Sequence, residues 1–125
     1  MILAAGILFV TKNDRRVLLV RRSDLGDHAG EWGIPGGKQE DGETLPEAAR
    51  RECAEELGRD FLADKQNMAG VLALWTRQAS PEVDFTTFLQ VVQEPFVPTL
   101  NGEHDAFVWA PIAEFSADDP AGVAA

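Results

Sequence analysis

The sequence predicts an α/β fold in which a β-sheet is sandwiched by other elements, with a short acidic helix beside it. Three observations carry this. The segments LAAGILFVT (3–11) and VLLV (17–20) are apolar almost without alternation, as expected of strands covered on both faces. Two later segments, NMAGVLALWT (67–76) and VDFTTFLQVVQ (83–93), also read as strands, the second rich in β-branched and aromatic residues. Between these pairs lies GKQEDGETLPEAARRECAEELG, Gly37 to Gly58, which holds a glycine turn, a helix start and a helix stop.

The first strand ends at KNDRR, and the Asn-Asp turn joins it to the second as a hairpin. Arg21 and Arg22 close the second strand. Two readings stay open for them: a solubilising strand end, or a contact to substrate phosphate, which a guanidinium fork matches well. Residues 23–33, SDLGDHAGEWG, form a polar, glycine-rich loop, in which His28 is the more prominently placed of the two histidines. Gly36-Gly37 then allows the backbone to approach a metal or phosphate with no side chain in the way.

Thr44 is the expected N-cap of the helix. Glu47 three residues on completes a capping box, and Pro46 sits in the first turn, where its missing N–H costs little. Ala49, Cys53 and Leu57, at i, i+4 and i+8, form the core side, with Cys53 a buried small hydrophobe and not a nucleophile. Gly58 ends the helix as a left-handed cap. Glu52, Glu55 and Glu56 fall at i, i+3 and i+4, so their carboxylates share one face spread over about 100°. A solvated acidic face is the plain account of such a cluster. The other account is a hard divalent cation, which takes oxygen ligands and keeps positions for water and substrate phosphate.

Beyond the helix, RQASPE (77–82) reads as a turn or loop between the two later strands. Trp75, Phe85 and Phe88 are the candidates for stacking a base, in competition with an ordinary place in the core. Pro95, Pro98 and Asn101-Gly102 mark a loop that ends at Glu103, just before the last strand, DAFVWA. A carboxylate there, facing the helix, is the natural additional ligand or base. The tail, PIAEFSADDPAGVAA, allows one short helical stretch around 111–115.

The chain has 125 residues, 45% of them apolar, which suits one domain spanning 1–125. Eleven basic residues against 21 acidic ones give a net charge of −10. That argues against nucleic acid or an anionic membrane as a partner, yet not against an anionic small molecule, because a bound cation inverts the local field. The single cysteine excludes an internal disulfide and fits a cytoplasmic protein. The apolar opening is too short to span a bilayer.

The helix segment can be written as Gly37, five residues, Glu43, seven residues, Arg51-Glu52, the apolar Cys53, one residue, Glu55-Glu56, one residue, Gly58. This spacing resembles the signature of the Nudix hydrolases, and Trp32 ahead of Pro35-Gly36-Gly37 is similar to the approach to that family's box. One departure is Arg59, where the family has an aliphatic residue; Phe61 or Leu62 are the substitutes for its packing. The resemblance implies a mixed β-sheet in an α/β/α sandwich with the box helix on one face. It implies Mg²⁺, or Mn²⁺, held by Glu52, Glu55, Glu56 and the carbonyl of Gly37. It makes Glu43 and Arg51 a structural brace that orients Glu52, with Glu52 or Glu103 as the catalytic base. Independently of the resemblance, Arg21, Arg22 and Trp75 stay the candidates for contact with the substrate. The implied reaction is hydrolysis of a pyrophosphate bond in a nucleoside diphosphate linked to another moiety. A nucleoside triphosphate is the first expectation, ADP-ribose or another nucleotide sugar the second, and a non-catalytic nucleotide-binding module the third. The shortness of the tail would leave one sheet face thinly covered, which favours a homodimer.

Overall fold

The computed structural model of the protein describes residues 1–58 and 68–114, apart from the side chains of 68–78 and 114. In chain order the elements are β1 (Ile2–Thr11), β2 (Arg16–Arg22), β3 (Trp32–Gly33), β4 (Gly36–Lys38), α1 (Leu45–Leu57), β5 (Met68–Ser80), β6 (Val83–Val92) and β7 (His104–Pro111), followed by a 3-10 turn at Ile112–Glu114. The seven strands form one mixed sheet. β1 is parallel to β6 from Ile2↔Val83 to Thr11↔Val92, whereas β5 pairs with β6, and β7 with β2, antiparallel.

The site is prepared by a split in this sheet. β1 and β2 meet only at Val10↔Val17. From there β2 borders β3 through Val20↔Gly33 and Arg21↔Trp32, while β1 borders β4 through Ala4↔Lys38, Ala5↔Gly37 and Gly6↔Gly36. Residues 32–38 therefore fill the gap between two parting strands. The crossing is too tight for side chains: a Cβ on Gly6 would lie 2.5 Å from the Pro35 carbonyl oxygen, and one on Gly36 would lie 2.4 Å from that of Ala5. Glycine is needed at both points because backbone meets backbone.

Both faces of the central strands are covered, as their unalternated apolar sequences require. Ala5, Ile7, Phe9, Leu18 and Val20 pack with Ala49, Cys53 and Leu57 of α1 and with Phe88, Val92 and Phe96. On the other face Leu8, Val17, Leu19 and Ile34 form a second cluster, with Val10 and Phe85 against it. Each fully buried Ile, Leu or Phe contributes about 1.5–3 kcal/mol. Phe96 joins the last strand to the core, meeting the rings of Phe9 and Trp109 edge-on and accepting a 2.8 Å bond from Trp109 Nε1 through its carbonyl.

The helix begins and ends where its sequence says. Glu47 N donates to Thr44 Oγ1 at 3.3 Å, and Thr44 N donates to Glu47 Oε1 at 3.0 Å. Gly58, at φ 68°, donates its N–H to the Ala54 carbonyl. The Leu57 carbonyl is satisfied by the N–H of Thr99. Two boundaries differ from the sequence expectation. β5 runs on through Ser80, so that only Pro81 and Glu82 are left to turn, because Thr76, Arg77 and Gln78 have ladder partners in Thr86, Phe85 and Asp84. The loop at 23–33 also ends in the two-residue strand β3. No helix among the described residues is long and apolar enough to cross a membrane. Arg59, Phe61, Leu62 and the tail beyond Glu114 lie outside the described residues.

Candidate functional site

Arg51 is the hub of the site. Its Nε and Nη2 grip Glu43 Oε2 and Oε1 at 2.6 and 3.1 Å, a two-pronged pairing. Nη2 also donates to the Lys38 carbonyl at 2.9 Å, and Nη1 donates to Glu52 Oε1 at 2.9 Å. The glycine turn, the residue before the helix and the acidic face are thus tied to one planar group, a geometry that the guanidinium fork supplies and an ammonium does not. The Arg51 bonds hold the Glu43 carboxyl below the ordinary carboxylate range, and Glu43 holds the guanidinium more firmly charged.

The three helix carboxylates sit in different surroundings. Glu55 is 55% exposed and faces Arg51 Nη1 at 3.5 Å. Glu52 lies against Gly37; burial pushes its pKa up, Arg51 pulls it down, and Glu55 and Glu103 raise it again by repulsion. Glu56 is only 2% exposed. Its Oε1 accepts the Gly36 N–H at 2.8 Å, and burial, reinforced by Glu52 and Glu103, pushes its pKa up to about 8. A helix face that reads as uniformly solvated in sequence therefore runs from solvent at Glu55 into the protein at Glu56.

Facing these groups are β2, β7 and the loop before β7. Ser23 donates its N–H to the Glu103 carbonyl and its hydroxyl to the Gly102 carbonyl, which fixes the loop beside the end of β2. A cleft of about 550 Å³ results, lined by Arg22, Gly36, Gly37, Lys38, Glu52, Glu103 and His104, with Leu25, Gly26 and Asp27 at its side. A second cavity of about 290 Å³ adjoins it through Arg22, Gly36 and His104 and extends to Val20, His28, Glu31, Trp32, Ile34 and Ala79. Arg22 Nε donates to the Asp27 carbonyl at 2.6 Å, which orients its guanidinium in the cleft.

The structure brings Gly37, Glu52, Glu103 and Arg22 to one cleft, with Glu56 behind them and Arg51 and Glu43 bracing them. It does not bring Arg21 there: that side chain pairs with Asp105 at 2.8 Å and lies 5.7 Å from the centre of the Trp32 ring. His28 adopts a positive φ of 60° and reaches Glu31 at 3.5 Å on the rim of the second cavity. The Trp75 side chain lies outside the described residues. Phe88 is in the core, and Phe85 packs on the opposite cluster. Cys53 is wholly buried, with its thiol pushed well above the usual range. His104 carried no signal in the sequence beyond its place after Glu103. It is nevertheless 6% exposed, with Nδ1 3.8 Å from Glu56 Oε2.

The donor chemistry suits a hard divalent cation: Glu52 and Glu103 line the cleft with Gly37, and Glu56 is buried behind them, an oxygen-donor set. As they stand, no three His, Cys, Asp or Glu side chains among the described residues are close enough together to hold one. The nearness of Gly37 to Glu52 makes a direct prediction. A Cβ on Gly37 would lie 2.4 Å from Glu52 Cδ. Gly37→Ala is therefore expected to displace that carboxylate, weakening Mn²⁺ binding measured by calorimetry at least tenfold while leaving the circular dichroism of the helix intact.

The family model of the NUDIX domain matches residues 2–124. A nucleoside triphosphatase NudI of Enterobacter sp. (strain 638) is 45% identical over 49 residues, and that of Escherichia coli (strain K12) is 46% identical over 52. These alignments take in 39% and 41% of this chain but only 35% and 37% of those proteins, so the chain spans about a third of the curated relatives it matches. Among solved structures, a C. elegans Ap4A hydrolase superposes with a TM-score of 0.71 at 22% identity, covering 91% of this chain and 82% of that one. The Nudix hydrolase RenU of M. Smegmatis gives 0.69 at 23%, covering 89% and 73%. These likenesses are ones of fold. With the family model spanning nearly every residue, and the box carboxylates braced as described, the chain belongs to the Nudix family.

Proposed function

We propose that the protein is a Nudix pyrophosphohydrolase: it cleaves a pyrophosphate bond in a nucleoside diphosphate linked to another moiety, and its substrates are nucleoside triphosphates. The observation that carries this is the cleft itself, with the braced Glu52 and the buried Glu56 on one side and Arg22 and Glu103 on the other. The choice of triphosphates is supported by the names of the NudI relatives, over the part of the chain they match.

Glu52, Glu55, Glu56 and the Gly37 carbonyl are the groups that would hold Mg²⁺, with Mn²⁺ as a substitute. Such a cation supplies neutralisation of the diphosphate charge and acidification of water near neutral pH. Arg51 holds Oε1 of Glu52 and leaves Oε2 to take the proton of the attacking water. Glu103 is the other group in the cleft able to do so. Arg22 pairs its fork with phosphate oxygens and steadies the leaving group as the phosphorus–oxygen bond breaks. The open, polar cleft admits a charged chain of phosphates.

The test is a turnover panel with Mg²⁺ and with excess EDTA, across nucleoside triphosphates, ADP-ribose, other nucleotide sugars and dinucleoside polyphosphates, with products separated by ion-exchange chromatography. Metal-dependent cleavage of triphosphates is expected. Cleavage of nucleotide sugars alone would overturn the substrate assignment. Nucleotide binding without cleavage of any compound would overturn the enzyme assignment in favour of a binding module.

A further inference from the structure

We propose that His104 is a positioning residue for Glu56, donating a hydrogen bond from Nδ1 to Glu56 Oε2 when that carboxylate takes a divalent cation. The inference rests on the reading of Glu56 as a cation ligand and adds to it a group outside the helix. Among the described residues Glu56 is held on one side: Oε1 receives the Gly36 N–H at 2.8 Å, while Oε2 faces His104 Nδ1 at 3.8 Å. Both residues are buried, and Nδ1 is one of two buried side-chain polar atoms among the described residues that lack a hydrogen-bond partner. A buried polar atom left without a partner is costly, so a nearby acceptor is favoured to take it up. Closing the gap to a normal N–H···O length needs a movement of under about 1 Å. Each carboxylate oxygen has two lone pairs, so Oε1 and Oε2 can each accept an N–H from behind and still offer a lone pair to a cation in front.

The fold aims His104 at this task. The β2–β7 register slips between Arg21 and Arg22: Arg21 lies opposite Ala106, Arg22 opposite His104, and Asp105 is the extra residue. Such a bulge re-aims the side chains beside it. Here it turns His104 inward and leaves Asp105 exposed with Arg21. His104 also lines both cavities together with Arg22 and Gly36, so its ring stands at the junction of the proposed cation and phosphate subsites.

Mn²⁺ titration followed by electron paramagnetic resonance, without substrate, tests the proposal in the wild type and in Glu56→Gln, His104→Leu, His104→Asn and His104→Gln. Expected is a 10–100-fold weaker Mn²⁺ affinity in His104→Leu, as is usual when a partner of a ligating group is removed. The Asn amide nitrogen falls near the place of Nδ1 and should recover most of it; the Gln amide reaches toward the place of Nε2 and should not. Unchanged affinity in His104→Leu, alongside a loss in Glu56→Gln, overturns this inference alone. Unchanged affinity in Glu56→Gln overturns the reading of Glu56 as a ligand and this inference with it. Should the variants fold poorly, ¹⁵N NMR of the wild-type imidazole decides: with Mg²⁺ bound, Nδ1 is expected to carry the proton, and a bare Nδ1 overturns the proposal.

Discussion

Glu52→Gln is expected to fold as the wild type does and to hydrolyse its substrate about 10²–10⁴-fold more slowly, the range for loss of a positioned acid–base group. The amide keeps the shape of the carboxylate, and its oxygen still accepts from Arg51 Nη1, so the brace survives. Stability should hold or rise slightly. Burial raises the Glu52 pKa in the folded chain, so above the unfolded value near 4.5 the ionised side chain opposes folding. Glutamine removes that opposition. The loss should appear in kcat, with a smaller change in KM, because the group acts on the water and not on the nucleoside. Full turnover in this variant would sink the assignment of Glu52 and leave Glu103 as the base.

Arg51→Met should damage both stability and activity. It leaves the Lys38 carbonyl without its donor and leaves Glu43 and Glu52, both mostly covered, facing an apolar side chain. Stranding one partner of a fully buried pair costs 3–5 kcal/mol. This site is partly exposed, so roughly 2 kcal/mol is the expected loss, or about 5–10 °C in Tm for a domain of this size. Arg51→Lys should recover the charge but little of the loss, since one ammonium cannot span both Glu43 oxygens and the Lys38 carbonyl. The acid limb of the stability curve reports on the same contact. Because the folded pKa of Glu43 is depressed, its contribution is whole above the unfolded value near 4.5 and disappears as pH falls through the folded value. Glu43→Gln should flatten that limb; an unaltered acid transition would show the brace to be energetically idle.

The helix was legible in the sequence almost residue by residue. Thr44, Glu47 and Gly58 act locally, and the periodicity of Ala49, Cys53 and Leu57 needs only one partner face. The strands were legible as apolar runs, and so was the covering of both their faces. What could not be read depends on elements far apart in the chain. That Glu56 is buried follows from Gly36 crossing beneath it, which helix spacing alone cannot show. Arg22 and not Arg21 enters the cleft because neighbours on a strand point to opposite faces, and Arg22 continues the face of Leu18 and Val20 that meets α1; a register slip against β7 brings in His104, where the loop position of His28 had drawn more notice. RQASPE is polar enough to read as a turn, yet an antiparallel neighbour is sufficient to hold most of it in a strand.

The tight crossing of Gly6, Pro35 and Gly36 bears on how portable this machinery is. The box is a contiguous string of 22 residues, and an engineer would be tempted to lift Gly37–Gly58 into another scaffold. The string would arrive without its floor. Gly6, on the first strand, is what lets the backbone at Pro35 lie close enough for Gly36 to hold Glu56 from below. A host carrying any larger residue at that point would lift the turn away from the helix. The transplant would then keep every charged residue of the signature and lose their arrangement. The smallest unit that can be moved is the helix together with the two parted strands that receive it.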